Sequence, residues 1–349
     1  MQIDGEYMIR KPGRLKRGDR VAIVSPSKSL PSVLPRLAEI GISNIREYFD
    51  LEPVIFPHAF SDMEYTYLHP EARAMDMNDA FADSSIGGLI STIGGDESVR
   101  ILKHLDSSII ESNPKLFMGF SDTSTITAYL HSRNIASIYG GAIMAGFAQM
   151  RNFPDDFVKY WETMLLKDSS GFVMERFEQF SEGYPNWSHT ADFSAVNTPV
   201  KSYHWNWVNG DRMQGKIFAA NLETLDLLRG SVYFPQLSNL DDSILLLETS
   251  ENVPTPYQVE VMVRGLGING VLERINGLAF GRFRGYSKEM RSDVVSRIMR
   301  ILKFEVGSEE KPLVEGLDFG HTDPYFPVPV GIHARIQGDK FTLLESLTE

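Results

Sequence analysis

Five short aliphatic runs, each separated from the next by a helix-length segment, confine the first 165 residues to one class of fold. The runs are Arg20–Val24, Pro53–Phe56, Ile86–Ile93, Lys115–Met118 and Ala136–Tyr139. Helical spacing fits Leu34–Phe49, Pro70–Ala82, Glu97–Lys103 and Thr123–Arg133 between them. Runs this short and this apolar are strands buried on both faces. Strands joined through helices pair in parallel, so the pattern predicts an α/β domain of Rossmann or flavodoxin type. In such sheets ligand chemistry gathers beyond the C-terminal strand ends.

From Gly171 to Gln214 the alternation dissolves into aromatics (Phe172, Phe177, Phe180, Tyr184, Trp187, Phe193, Tyr203, Trp205, Trp207) mixed with Ser, Asn, Thr and Pro. A loop this long is usually functional, and it marks a junction. Beyond it, strands fit Lys216–Ala219, Ser243–Glu248, Gly277–Phe280 and Phe341–Leu344, and helices fit Leu222–Leu228, Tyr257–Leu266 and Ser292–Phe304. The reading is therefore an N-terminal α/β domain over 1–170, an aromatic-rich linker or substrate loop over 171–214, and a C-terminal α+β domain over 215–349 with a small mixed sheet or barrel. A length of 349 residues agrees with two domains.

Composition removes whole classes of function. Lysine and arginine number 34 against 46 aspartates and glutamates, a net charge of −12, and no basic block offsets it. A nucleic-acid binder needs a phosphate-neutralising surface, so that role is not expected. The absence of cysteine excludes disulfides, thiolate metal sites and cysteine nucleophiles. The start, with Asp4 and Glu6, lacks the apolar core of a secretory signal. The longest aliphatic stretches are strand-sized, far below the about 20 residues of a membrane span. A soluble, cytoplasmic protein is the expectation, with no membrane partner.

Four segments carry possible chemistry. In Lys115–Thr123 a strand runs into Gly119-Phe120-Ser121, and a helix leaves from Asp122-Thr123. That is the layout of a nucleophile elbow, which projects a serine hydroxyl beside the free N–H groups of a helix start. Taken alone, the segment reads more simply as a helix cap by Ser121 or Asp122. Ile93-Gly94-Gly95-Asp96-Glu97 is a second strand–turn–helix passage. Its N–H groups suit an oxyanion hole, though Asp96 could simply cap an ordinary turn. Glu248 closes the strand Ser243–Glu248, either to orient a histidine or as a solvated end. Of eight histidines, His321 alone sits in a Gly320-His321-Thr322-Asp323-Pro324 turn after an apolar segment, a frame that suits a general base. One His and one Asp are too few ligands for zinc, so no metal is expected. No cofactor is expected either: the first strand ends in Ser25-Pro26-Ser27, without a dinucleotide fingerprint, and Gly94-Gly95 lacks a P-loop ending.

Serine, then glutamate, then histidine, each at a strand end, is the chain order of α/β-hydrolases. Here the serine lies in one half and its partners in the other, so a site would form between them.

These segments resemble the LD-carboxypeptidase family of serine peptidases, which includes the microcin C immunity peptidases. The resemblance runs from Leu15–Pro26 to His333–Gly338. Its most specific parts are Phe117–Asp122, Asn221-Leu222-Glu223-Thr224, Leu247–Glu251 and Asp318–Pro324. It implies Ser121 as nucleophile, His321 as general base and Glu248 as its orienting partner, with an oxyanion hole from the N–H of Asp122 and the Gly94–Asp96 turn (Gly95 and Asp96). The turn lacks the arginine of the muropeptidase members. The loop bearing Trp187, Trp205 and Trp207 is similar to that of the microcin immunity branch, and Asn221 falls in a segment similar to that branch's Gly-Gly-Asn-Leu-Glu turn. Those four residues are the expected substrate contacts, an indole face stacking on a nucleobase or else packing an interface. The implied function is amide cleavage near a free carboxylate in a small peptide or peptidyl-nucleotide. Arg282, Arg284, Lys201 and Arg212 are the available cations. A muramoyltetrapeptide LD-carboxypeptidase and a non-catalytic two-domain solute binder are the alternatives, and a homodimer is what the resemblance implies.

Overall fold

The computed structural model describes residues 9–187 and 192–349; the N-terminal segment with Asp4 and Glu6 lies outside the described residues. In chain order the strands are β1 (Arg20–Val24), β2 (Glu52–Ile55), β3 (Ile86–Ser91), β4 (Leu116–Gly119), β5 (Ser137–Tyr139), β6 (Val173–Glu175), β7 (Gln179–Phe180), β8 (Val200–Lys201), β9 (Asn206–Asn209), β10 (Arg212–Asn221), β11 (Ser243–Glu248), β12 (Gly277–Gly281), β13 (Leu313–Leu317), β14 (Val328–Val330), β15 (His333–Gln337) and β16 (Lys340–Leu343).

The first sheet has the order β14-β5-β4-β3-β1-β2. Strands β1 to β5 pair in parallel, and their order is that of the flavodoxin type. Every residue of β4 and β5 is buried, which accounts for unbroken apolar runs in place of alternation. Strand β14 comes from the far end of the chain and pairs antiparallel with β5. The second half therefore reaches back into the first sheet.

The second sheet has the order β6-β16-β15-β10-β11-β12-β13-β9. Its centre, β10 to β13, is parallel, and antiparallel strands flank it on both sides. The mixed α/β architecture read from the sequence is thus the one observed.

Several elements differ from expectation. Strand β10 runs four residues ahead of the predicted Lys216 because β15 supplies an antiparallel partner there. Helices at Met63–Leu68, Ser107–Ser112 and Asp155–Leu166 were not read from the sequence. Two of them are single-turn-scale and owe their starts to Asp62 and Asp106, whose side chains accept N–H groups of the first turn. The aromatic stretch is not one loop. It contains β6 to β9, with Phe177, Phe180 and Trp205 buried.

The helix Ser124–His131 leaves the Ser121 turn and is buried throughout. It ends on the second half, where the His131 ring lies 5.0 Å from Phe218 and its Nε2 meets the Asn239 carbonyl at 3.2 Å. Burial pushes this imidazole down to about 4, so it packs as a neutral ring. Among the described residues, no helix is long and apolar enough to cross a membrane.

Candidate active site

Ser121 follows β4 at φ 60°, a conformation that a β-carbon disfavours and that a tight strand-to-helix turn enforces. The strain aims its hydroxyl out of the first sheet. Across the crevice, β11 ends on Glu248 and β13 runs into the turn bearing His321. Ser121 Oγ lies 3.0 Å from His321 Nε2, and His321 Nδ1 lies 2.6 Å from Glu248 Oε2. Glu248 and Ser121, 73 and 200 positions from the histidine, form one hydrogen-bonded chain with it.

Glu248 is fully buried and heavily partnered. Its Oε1 accepts from the Tyr139 hydroxyl at 2.5 Å and from Asn221 Nδ2 at 3.0 Å. Gly320, at φ 97°, lets the histidine turn close over it, since a β-carbon there would stand 2.8 Å from the glutamate side chain. Burial works against a charged imidazole, but the charge and hydrogen bond of Glu248, aided by Glu251, outweigh it and hold His321 above its ordinary value. Burial, reinforced by Glu248, keeps the Tyr139 phenol protonated far above its usual range.

The Gly94–Asp96 turn lies against the serine. A β-carbon on Gly94 would be 3.2 Å from Ser121 Oγ, and Gly95 at φ 149° packs on Ser27 and Lys28. The Asp122 carboxylate ties this turn down: Oδ2 accepts from the Ser27 hydroxyl at 2.5 Å, Glu97 N–H at 3.0 Å and Ser98 N–H at 2.8 Å. Buried Arg73 donates to the Ser27 carbonyl at 2.8 Å and approaches Glu97 at 3.4 Å, joining the β1 loop to the same turn. Asp96 itself points outward to Lys28, 3.1 Å away.

The expected substrate contacts divide. Trp187 is half-buried and stacks on Tyr184, with centroids 4.5 Å apart and planes 11° apart. Tyr184 lies within electrostatic reach of Asp323, Arg284 and Glu251, beside the histidine. Trp205 is instead closed to a ligand. It is 4% exposed, gives its indole N–H to Asp318 Oδ2 at 2.7 Å, and meets Phe326 edge-on. Trp207 pairs with Val314 near the start of β13 and donates to the Gly338 carbonyl, so its indole is engaged at the opposite end of the sheet. Asn221 is buried; besides holding Glu248 it caps the next helix through Thr224 N–H.

Among the four cations, Arg282 is consumed by a buried ion pair with Asp318 and a 3.2 Å bond to Ser202. Arg212 binds Gln214 at the far start of β10, and Lys201 is exposed on β8. Arg284 is the one whose field reaches both His321 and Asp323. Burial pushes the Asp323 carboxyl up to about 7, against the pull of Arg284 and His321. A cavity of about 590 Å³, lined by Arg176, Phe177, Phe180, Ser181, Asp323 and Pro324 among others, opens beside it. Among the described residues, no group of three His, Asp or Glu side chains is placed to hold a metal ion.

Sequence reasoning missed Tyr139, Glu251, Ser27 and Arg73. Tyr139 was visible only as a polar tip on the last residue of an aliphatic strand, and Glu251 only as part of a motif. Nothing in the spacing foretold which groups they meet.

Two sheets whose strand ends face each other across a serine–histidine–glutamate chain define a two-lobed α/β protein with a crevice site. The chain belongs to the LD-carboxypeptidase family: the N-terminal domain of that family matches residues 21–140 and its C-terminal domain residues 214–336. It is similar to the microcin C7 self-immunity protein MccF of Escherichia coli, 26% identical over 286 residues, which cover 79% of this chain and 78% of that protein. The crystal structure of an MccF-like protein from Streptococcus pneumoniae, in complex with AMP, shares the fold with a TM-score of 0.81 at 26% identity, covering 93% of this chain and 98% of the other. A Bacillus subtilis protein named "Probable murein peptide carboxypeptidase" is 22% identical over 344 residues, 96% of this chain and 94% of that one.

Proposed function

We propose that the protein is a metal-independent serine amidase that cleaves an amide bond near a free carboxylate, acting on microcin C-type aminoacyl- or peptidyl-nucleotides. The observation that carries this reading is the continuous Ser121–His321–Glu248 hydrogen-bond chain.

In the first step His321 Nε2 takes the Ser121 proton as Oγ attacks the carbonyl carbon. The negative charge that develops on the carbonyl oxygen falls to the N–H groups of Asp122 and of the Gly94–Asp96 turn. The Ser121 N–H is already spent on the Tyr139 hydroxyl at 3.2 Å, so it is not among the donors. Loss of one such donor costs about 2.7–4 kcal/mol in other serine hydrolases. The imidazolium then gives its proton to the leaving nitrogen, and water, activated by the same histidine, cleaves the acyl-enzyme. Glu248, fixed by Tyr139 and Asn221, stabilises the cation throughout. Arg284 serves the anionic group of the substrate.

The nucleotide preference is supported by the Trp187–Tyr184 stack, whose tyrosine lies within the field of Glu251 and Asp323, and by the AMP named with the pneumococcal relative. The murein alternative is favoured by the name of the Bacillus relative. A cytoplasmic dimer belongs to the same reading.

Purified protein assayed on an aminoacyl sulfamoyl adenosine and on murein tetrapeptide separates the substrates. Ser121→Ala is expected to abolish turnover and fluorophosphonate labelling. A fully active, unlabelled wild type, or an active variant, overturns the mechanism, and lack of labelling with solute binding favours a non-catalytic binder.

A further inference from the structure

His321 Nε2 faces a second partner that the relay does not use. Glu251 Oε2 lies 3.2 Å from it, on the same nitrogen that meets Ser121 Oγ at 3.0 Å. The side chain of Glu251 is 56% exposed, against 7% for His321 and 0% for Glu248, so it is the solvent-facing member of the group. Its backbone is nonetheless held in place. Ser250 gives both its N–H and its hydroxyl to Glu223 Oε1, at 3.0 and 2.7 Å, and Val253 N–H closes the turn on the Ser250 carbonyl at 3.2 Å. Glu223 stands three residues into the segment that Asn221 opens, so the turn is anchored to the same strand end as the relay. Among the described residues, no lysine or arginine lies within ion-pair distance of Glu251.

A carboxylate in this place cannot be neutral toward substrate. The attacked carbonyl carbon must come against Ser121 Oγ, and an amine on the adjacent carbon is only two bonds farther out. Glu251 is within the sum of the two distances above from that oxygen. An ammonium there would be matched by the carboxylate, whereas a second carboxylate would be repelled and an acylated amine would leave the charge unpaired. We propose that Glu251 is the subsite for a free α-ammonium next to the scissile carbonyl, which narrows the two substrate forms above to the aminoacyl-nucleotides, since the scissile residue of a peptidyl-nucleotide carries an acylated amine. This deepens the amidase reading above and rests on it.

The contact with Nε2 adds a consequence. A carboxylate bonds to that nitrogen only while it carries a proton, because neutral His321, with its proton on Nδ1 toward Glu248, presents a lone pair there. An arriving ammonium takes Glu251 off the imidazole, leaving Nε2 to Ser121. The charged groups around His321 in this balance are Glu248 from β11, Glu251 from the turn after it, Arg284 from the loop after β12 and Asp323 on the histidine's own turn.

The test compares alanyl sulfamoyl adenosine with its Nα-acetyl derivative. Wild-type kcat/KM is expected to favour the free amine by about ten-fold or more, the scale of a hydrogen bond to a charged group. In Glu251→Gln and Glu251→Ala that ratio is expected to fall toward one, with the acid limb of the pH profile moving to lower pH. The same pair titrated calorimetrically into Ser121→Ala is expected to show the same preference in Kd, lost on adding Glu251→Gln. Equal handling of the two compounds by wild type, or a ratio that survives both substitutions, overturns the proposal. A Kd preference without any Ser121-dependent cleavage upholds the ammonium subsite while sinking the amidase reading.

Discussion

Tyr139, on the last residue of a first-sheet strand, donates its hydroxyl to Glu248 Oε1, on the last residue of a second-sheet strand, across 2.5 Å. The Tyr139 hydroxyl oxygen in turn accepts the Ser121 N–H at 3.2 Å. One phenol therefore ties the serine turn to the carboxylate hydrogen-bonded to His321, and it does so between the two sheets. Tyr139→Phe removes both bonds while keeping the ring, and leaves Glu248 Oε1 with Asn221 alone. We expect a stability loss of about 1–3 kcal/mol and a fall in kcat of about ten-fold with little change in KM. Urea denaturation and steady-state kinetics on the same preparation check both; an unchanged kcat with lowered stability would confine Tyr139 to a structural role.

Asp122 offers a second separation of side chain from backbone. Its N–H is assigned to the oxyanion, but its carboxylate oxygen Oδ2 receives three donors from the neighbouring turns. Asp122→Ala leaves two N–H groups and a hydroxyl without that acceptor, and loosens the Gly94–Asp96 turn. The expected outcome is a destabilisation of about 2–4 kcal/mol together with a drop in kcat. Asp122→Asn, which keeps an acceptor oxygen, is expected to recover most of both. If the alanine variant keeps full activity, the turn is not an oxyanion donor.

The site also sets a pH signature. His321 is held above its ordinary 6.5, and in the proposed mechanism it must be neutral to accept the serine proton, so kcat/KM is expected to rise through a midpoint above 6.5. Stability runs the other way. Folded His321 and folded Asp323 both bind protons more tightly than in the unfolded chain. Their contributions are complete below the unfolded values of 6.5 and 3.8, and are lost as pH rises through the folded values, about 7 for Asp323. Asp323→Asn removes the carboxyl's share. The difference in unfolding free energy, variant minus wild type, is expected to grow between pH 4 and pH 8 by up to ~4 kcal/mol. Urea midpoints across that range measure it, and a difference that stays flat refutes the burial argument for Asp323.

Much of this arrangement could be read from the chain because it sits on strand ends. Ser121, Glu248 and His321 each follow an aliphatic run, and burial on both faces makes such runs conspicuous. What joins them could not be read. The Tyr139–Glu248 bond spans 109 positions and Glu251 meets His321 only through the closure of a turn. Neither leaves a periodic trace. The aromatic stretch misled for a different reason. Its composition announced large side chains, but not which would turn inward, and Trp205 went to Asp318 in the core while half-buried Trp187 stacked on Tyr184. The fold of the first half was legible as a parallel α/β sheet of Rossmann or flavodoxin type but not in its strand order, and β14 joining that sheet from residue 328 onward has no local signal.

Those two tryptophans supply a paired prediction. Trp205 gives an indole N–H to a carboxylate that also balances buried Arg282, so its loss unsettles an ion pair far from water. Trp205→Phe is expected to cost about 1–3 kcal/mol of stability and to leave the preference for nucleotide over non-nucleotide substrates unchanged. Trp187 is half-buried and stacks on Tyr184, which lies within the field of Glu251 and Asp323. Trp187→Ala is expected to weaken nucleotide-bearing substrates by about 1–3 kcal/mol, read in KM, while sparing a substrate that lacks the base. Thermal unfolding and KM for the two substrate types resolve the pair. Should Trp187→Ala weaken both substrates equally, stacking on a nucleobase is not its role, and the nucleotide reading loses the side chain on which it chiefly leans.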